Sequence, residues 1–199
     1  MRAYYYLMAQ LPYLMYDQKP PMSSEEFKEL AVALLQKCDA DIISNISNII
    51  KSSGDAEEPA FNEKAPSTGN FFMDKWLDWE RTLRQNIARE RAIKLKRRDA
   101  AKLEPPVFPA DAAQAAIKVA IGDGSPLDKE IMLDKVRWNA VESLAGNDYF
   151  HRNSVFAYYL KLLLLERKLS FNAEKGFAEY KSLYASIVKS AQTSLGDTK

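Results

Sequence analysis

Ser154-Val155-Phe156-Ala157-Tyr158-Tyr159-Leu160-Lys161-Leu162-Leu163-Leu164-Leu165-Glu166-Arg167-Lys168 decides the fold. Ser154 has a side chain that caps helices by accepting a bond from an orphan backbone N–H. From Val155 to Leu165 the one charged residue is Lys161. A helix over this stretch is therefore apolar on nearly every side and belongs inside a bundle, not across a surface. At 1.5 Å per residue it rises only about 17 Å, too short for a bilayer. The chain is organised around packing.

Working outward, the flanking segments read as the partners such a helix needs. Asn172 is expected to cap a final amphipathic helix with Phe177, Tyr180, Tyr184, Ile187 and Val188 on its inner face. On the other side, Leu133, Val136, Ala140, Val141 and Leu144 line one face of a helix that Pro126 opens and Gly146 stops. Asp111 opens a short alanine-rich helix to Ile121, before a turn at Gly122-Asp123-Gly124. Asn70 caps a long helix over 71–98, roughly 42 Å if unbroken, with Phe72, Trp76, Trp79, Leu83 and Ile87 as its buried stripe. Pro105, Pro106 and Pro109 end that region.

Nearer the start, Ser23 and Glu26 fit a capping box. Phe27, Leu30, Ala31, Leu34, Leu35 and Cys38 follow at helical spacing, and Ile42, Ile43, Ile46, Ile49 and Ile50 form a second stripe. The two read as a helical hairpin. Residues 3–9 read as a short first helix halted near Pro12, and the polar stretch 51–70, with Pro59 and Pro66, as a flexible loop or linker. The expectation is all-α: a single domain over 1–199, a bundle of about seven helices with one long basic helix.

Composition agrees with a soluble globular chain. Of 199 residues 47% are apolar and 28% charged, and seven glycines favour helix over turn-rich folds. The length suffices to bury about 70% of the unfolded surface. A net charge of +1 predicts neither a nucleic-acid nor a membrane partner by itself. Cys38 stands alone, which excludes an internal disulfide, and its helical position predicts a small buried thiol. The first twelve residues lack the long apolar run of a signal peptide, so a cytoplasmic location is expected and the Asn45-Ile46-Ser47 sequon carries no meaning.

No catalytic constellation emerges. His151 is the single histidine, which excludes the paired Glu-x-x-His ligands of di-iron bundles, and it reads as a local cap or surface group at a helix-entry turn. Zinc ligation by Cys and His is unsupported. Gly122-Asp123-Gly124 lacks the Gly-Lys-Ser/Thr ending of a phosphate cradle and reads as a turn. Glu130 and Asp134, one helical turn apart, have the spacing of paired carboxylates, but Lys129, Lys135 and Arg137 beside them favour a solvated charged face. Lys161 reads as a packed stem whose ammonium reaches water, with Lys168 on the same side. Neither an enzyme nor a resident cofactor or metal is expected.

The strongest electrostatic signal spans 81–98. Arg81, Arg84, Arg89, Arg91, Lys94, Lys96, Arg97 and Arg98 face Glu90 alone, a local charge of +7 that leaves the remainder at −6. A solvated face, an acidic protein partner and a phosphate backbone all suit such a helix. The aromatic residues sit at its N-terminal end as core anchors and do not interleave with the charges as base-stacking platforms do. Arg84, Arg89, Arg91, Lys94, Arg97 and Arg98 are the candidate partner contacts.

Three segments together resemble a short bacterial family encoded among V-type (A/V-type) ATP synthase subunits. They are Tyr4-Tyr5-Tyr6-Leu7-Met8-Ala9-Gln10-Leu11-Pro12, Trp79-Glu80-Arg81-Thr82-Leu83-Arg84-Gln85-Asn86, and Phe156-Ala157-Tyr158-Tyr159-Leu160-Lys161-Leu162 with Glu174-Lys175-Gly176-Phe177. The Tyr-rich opening and the Ala-Tyr-Tyr-Leu helix are also similar to the helical socket subunit of those rotary ATPases, a non-catalytic piece that joins the rotor ring to the central shaft. The resemblance implies a reduced, socket-like protein that couples or stabilises the central stalk and rotor ring. Its implied partners are stalk or rotor subunits, with no small-molecule substrate, and it would sit peripherally at the cytoplasmic side of the membrane without spanning it. The alternative is a nucleic-acid-binding helical protein that uses 81–98.

Overall fold

The computed structural model describes residues 2–52, 67–96, 106–122, 124–171 and 173–196. These form eight helices and, among the described residues, no strand: α1 (Arg2–Gln10), α2 (Ser24–Leu34), α3 (Lys37–Ser52), α4 (Phe71–Lys94), α5 (Ala110–Ile121), α6 (Pro126–Ala145), α7 (Arg152–Ser170) and α8 (Ala173–Gly196). The all-α bundle is the observed fold. Residues 53–66 of the expected linker, Arg97 and Arg98, Pro105, Asp123 and Asn172 lie outside the described residues.

Helix α7 is the centre. Val155, Phe156, Tyr159, Leu160, Leu162 and Leu165 are buried, and α1, α2, α4 and α6 all pack against it. Its polar ends tie those neighbours down. Glu166 accepts from the backbone N–H and hydroxyl of Ser24, both at 2.6 Å, which sets a carboxylate at the N-terminus of α2 where the helix dipole favours it. Tyr158 donates to the Pro12 carbonyl at 2.9 Å, and burial pushes its hydroxyl up to about 12. Phe27 of α2 stacks on Tyr158 and Tyr159, with centroids 5.2 and 5.5 Å away.

The helix starts follow local chemistry. Ser23 and Glu26 form the expected capping box, Asn70 accepts from the N–H groups of Phe72 and Met73, and Ser125 with Asp128 makes a second box before Pro126. At α7 the cap is His151, whose side chain accepts from the Asn153 N–H. Ser154 is not the cap: the helix starts at Arg152, and the Ser154 hydroxyl donates back to the Asp148 carbonyl instead. Gly146 ends α6 at φ 75°, a conformation that a side chain would strain.

Two expectations of burial are corrected. The stripe from Phe27 to Cys38 does not belong to one helix, because α2 ends at Leu34 and Leu35 takes an extended conformation. Helix α3 restarts in a new phase that turns Asp39 inward and leaves Cys38 exposed. Buried Asp39 (1% exposed) accepts from Arg152 Nε at 2.8 and 3.0 Å and from the Tyr4 hydroxyl, joining α3, α7 and α1. Burial and the Asp39 carboxylate push the Tyr4 hydroxyl up to about 12. The second correction concerns α8: Phe177, Tyr180, Tyr184 and Ile187 were expected on an inner face, yet all are exposed. The bundle closes without them, since α1, α2, α4 and α6 already surround α7.

Candidate functional site

The candidate partner surface is the C-terminal half of α4, and its geometry rests on a buried ionic network. The stripe Phe72, Trp76, Trp79, Leu83 and Ile87 is buried as the spacing requires. On a second flank, α5 and the segment leading into it cover α4: Trp79 Nε1 donates to Asp111 at 2.6 Å, Thr82 to the Phe108 carbonyl at 3.0 Å, and Asn86 to the Pro106 carbonyl at 3.0 Å. A helix clamped along two sides holds in place the backbone that carries its remaining charges.

Beneath those charges lies Glu80. It is buried and accepts from Arg137 Nε at 3.2 and 3.0 Å, Arg137 Nη2 at 3.1 Å and Arg84 Nε at 2.8 Å. Burial pushes the Glu80 carboxyl up, but the two guanidiniums outweigh it and hold it below the ordinary value. Arg137 also donates to Asp134 at 2.9 Å, Arg167 of α7 reaches the same Asp134 oxygen at 2.8 Å, and Arg167 bonds Glu130 at 2.8 Å. Asp134 is fully buried, and its second oxygen has no hydrogen-bond partner. Burial therefore pushes its carboxyl up against the pull of Arg167 and Arg137. The expected solvated face at Asp134 and Arg137 is thus overturned: both are buried, and Glu130 with Asp134 serves as an arginine acceptor set.

The six candidate contacts divide on this scaffold. Arg84 is committed to Glu80, and Lys94 donates to the Ala120 carbonyl at 2.8 Å, capping the end of α5. Arg89 lies 3.9 Å from its neighbour Glu90, and Arg91 is 3.7 Å from Glu130 with 67% of its side chain exposed. Arg97 and Arg98 fall outside the described residues. Beyond Arg91, Ile93, Leu95 and Lys96 are exposed, so the end of α4 offers apolar and cationic groups side by side.

Two lysines outside this surface behave as packed stems, as their spacing suggests. Lys161 bonds Glu142 at 2.8 Å with its ammonium 4.7 Å from the Trp138 ring centre, and Lys168 bonds the Tyr16 carbonyl at 3.1 Å over the Tyr16 ring. Lys161 and Glu142 border a cleft of about 650 Å³ between the α1–α2 connection and the end of α6, where Tyr13, Tyr149 and Phe150 supply its aromatic wall. Lys161 and Glu142 neutralise each other there. Among the described residues, no group of three or more His, Cys, Asp or Glu side chains is placed to hold a metal ion. No described helix is long and apolar enough to cross a membrane.

This architecture is an α-helical bundle with an exposed cationic edge. Residues 114–191, from within α5 to within α8, match a family described as a protein of unknown function (DUF2764). No curated protein and no solved structure matches the chain.

Proposed function

We propose that this protein is a non-catalytic interaction subunit of a bacterial V-type ATPase, similar in role to the helical socket, coupling or stabilising the central stalk and rotor ring from the cytoplasmic side. The observation that carries the reading is the clamped end of α4, where Arg89, Arg91 and Lys96 stand beside exposed Ile93 and Leu95. Exposed cations next to apolar side chains suit an acidic, partly apolar protein face, because the charges steer the encounter while the apolar groups supply burial. The three-segment resemblance to proteins encoded among V-type ATPase subunits supports the choice of partner.

Affinity capture from native membranes, with identification of the recovered subunits, tests it. Stalk or rotor subunits are expected with the wild-type chain and lost with Arg89→Glu combined with Arg91→Glu. Capture of no ATPase subunit, or full capture by the double variant, overturns the reading.

A further inference from the structure

Helix α8 carries an apolar face that the bundle does not cover. Phe177, Tyr180, Leu183, Tyr184 and Ile187 each expose between 58% and 65% of their surface, and no described helix packs along them. Their order is periodic: Ala173, Phe177, Tyr180, Tyr184, Ile187 and Ala191 are separated alternately by four and three residues. This is the a/d repeat of a coiled coil, in which each seam residue inserts between residues of a facing helix. Along the seam the Tyr180 and Tyr184 rings stack at 6.3 Å, and the Lys181 ammonium lies 4.6 Å from the Phe177 ring centre.

We infer that α8 is a dimerisation helix whose seam pairs in parallel with α8 of a second copy of this chain. Area supports a second copy. At roughly 200 Å² for each large side chain, the five uncover about 600 Å² per chain, and two copies would bury up to about 1,200 Å², which reaches the lower bound of a specific interface. A contiguous patch of about 600 Å² is also at the top of the range that monomers expose.

Charge selects the direction. With Phe177 and Tyr184 at a positions, Lys181 flanks the seam. In a parallel pair it faces Gly176 of the second copy, while Leu183 faces Val188 of the second copy. An antiparallel pair centred on the seam sets Lys181 against Lys181. The parallel pair thus avoids the like-charge contact. The inference is independent of the ATPase reading.

Sedimentation equilibrium of the full chain tests it, with an expected mass twice the 22.6 kDa of one chain. Tyr184→Glu combined with Ile187→Glu should restore the single-chain mass and leave the bundle's melting unchanged, because these side chains do not pack on it. In a Cys38→Ser background, Ile187→Cys should crosslink to itself on oxidation, and Glu179→Cys, off the seam, should not. A wild-type chain that stays monomeric at every concentration, a dimer indifferent to both glutamates, or equal crosslinking at the two cysteine positions overturns the inference. So does a monomer that captures a different protein through α8.

Discussion

Glu80→Gln is the sharpest perturbation of the bundle. Buried Glu80 receives three hydrogen bonds from Arg137 and one from Arg84. Glutamine keeps the shape and one oxygen, but it turns an amide donor toward a guanidinium that can only donate. Arg137 then keeps Asp134 as its one charged partner, and Asp134 already serves Arg167. Leaving one partner of a buried pair uncompensated costs about 3–5 kcal/mol. For a chain of this size that lowers the thermal midpoint by roughly 6–20 °C.

Urea denaturation followed by far-UV circular dichroism gives the free energy, and repetition across pH gives its cause. The folded Glu80 carboxyl is held below its ordinary 4.5, so its contribution is present above that pH and is lost as pH falls through the folded value. The gap between wild type and variant should be widest at neutral pH and close in acid. Glu80→Met with Arg137→Leu should lose less than Glu80→Met alone, since Arg137 is then no longer left buried without its main partner. A Glu80→Gln loss within about 0.5 kcal/mol of zero, the range of ordinary surface changes, would refute this account.

Asp134→Asn should be milder at neutral pH than Glu80→Gln, because an amide oxygen still accepts from Arg137 and Arg167 and burial disfavours the ionised carboxyl. As the Asp134 carboxyl is raised above 3.8, its stabilising contribution is present below that pH and lost as pH rises through the folded value. Wild type should therefore gain on the asparagine variant in acid, measured by the same denaturation series. Asn70→Ala removes the acceptor for two N–H groups at the start of α4 and should lower stability by about 1–2 kcal/mol. Leu162→Ala, at a fully buried position of α7, should lower it by about 2–5 kcal/mol. Exposed Leu169, in the last turn of the same helix, is the control, and Leu169→Ala should stay within about 0.5 kcal/mol of wild type.

Local signals announced most of the elements and few of their relationships. The apolar run of α7, the Asn70 cap and the Pro126 and Gly146 boundaries follow from short-range chemistry and stand in the structure. The break between α2 and α3 has no glycine or proline to mark it, so an unbroken apolar spacing ran through it and misplaced Cys38. Glu80 and Arg137 are 57 positions apart, and a charge in a helix looks alike whether it meets water or a distant counter-charge. Crowding of charge around Asp134 was visible; which oxygen met which arginine was not. Helix α8 was legible as amphipathic, but periodicity states that a face is apolar and leaves open which surface covers it. At the candidate edge, the run of cations was plain from 81 onward, whereas the commitment of Arg84 to Glu80 and of Lys94 to α5 depends on tertiary placement.

The position of α7 late in the chain sets the order in which the protein can be completed during synthesis. Pro12, Ser24, Phe27 and Asp39 all meet partners between Arg152 and Glu166. At about 5–20 residues per second, roughly 7–27 s separate the emergence of α2 from that of the helix it packs on. Until then Leu7 and Phe27 have no α7 to close over them, and Asp39 has no Arg152 to pair with. The N-terminal hairpin is in effect an unfinished surface while the ribosome works through α4 to α6, and chain arrest before residue 152 would leave it a substrate for chaperones and proteases.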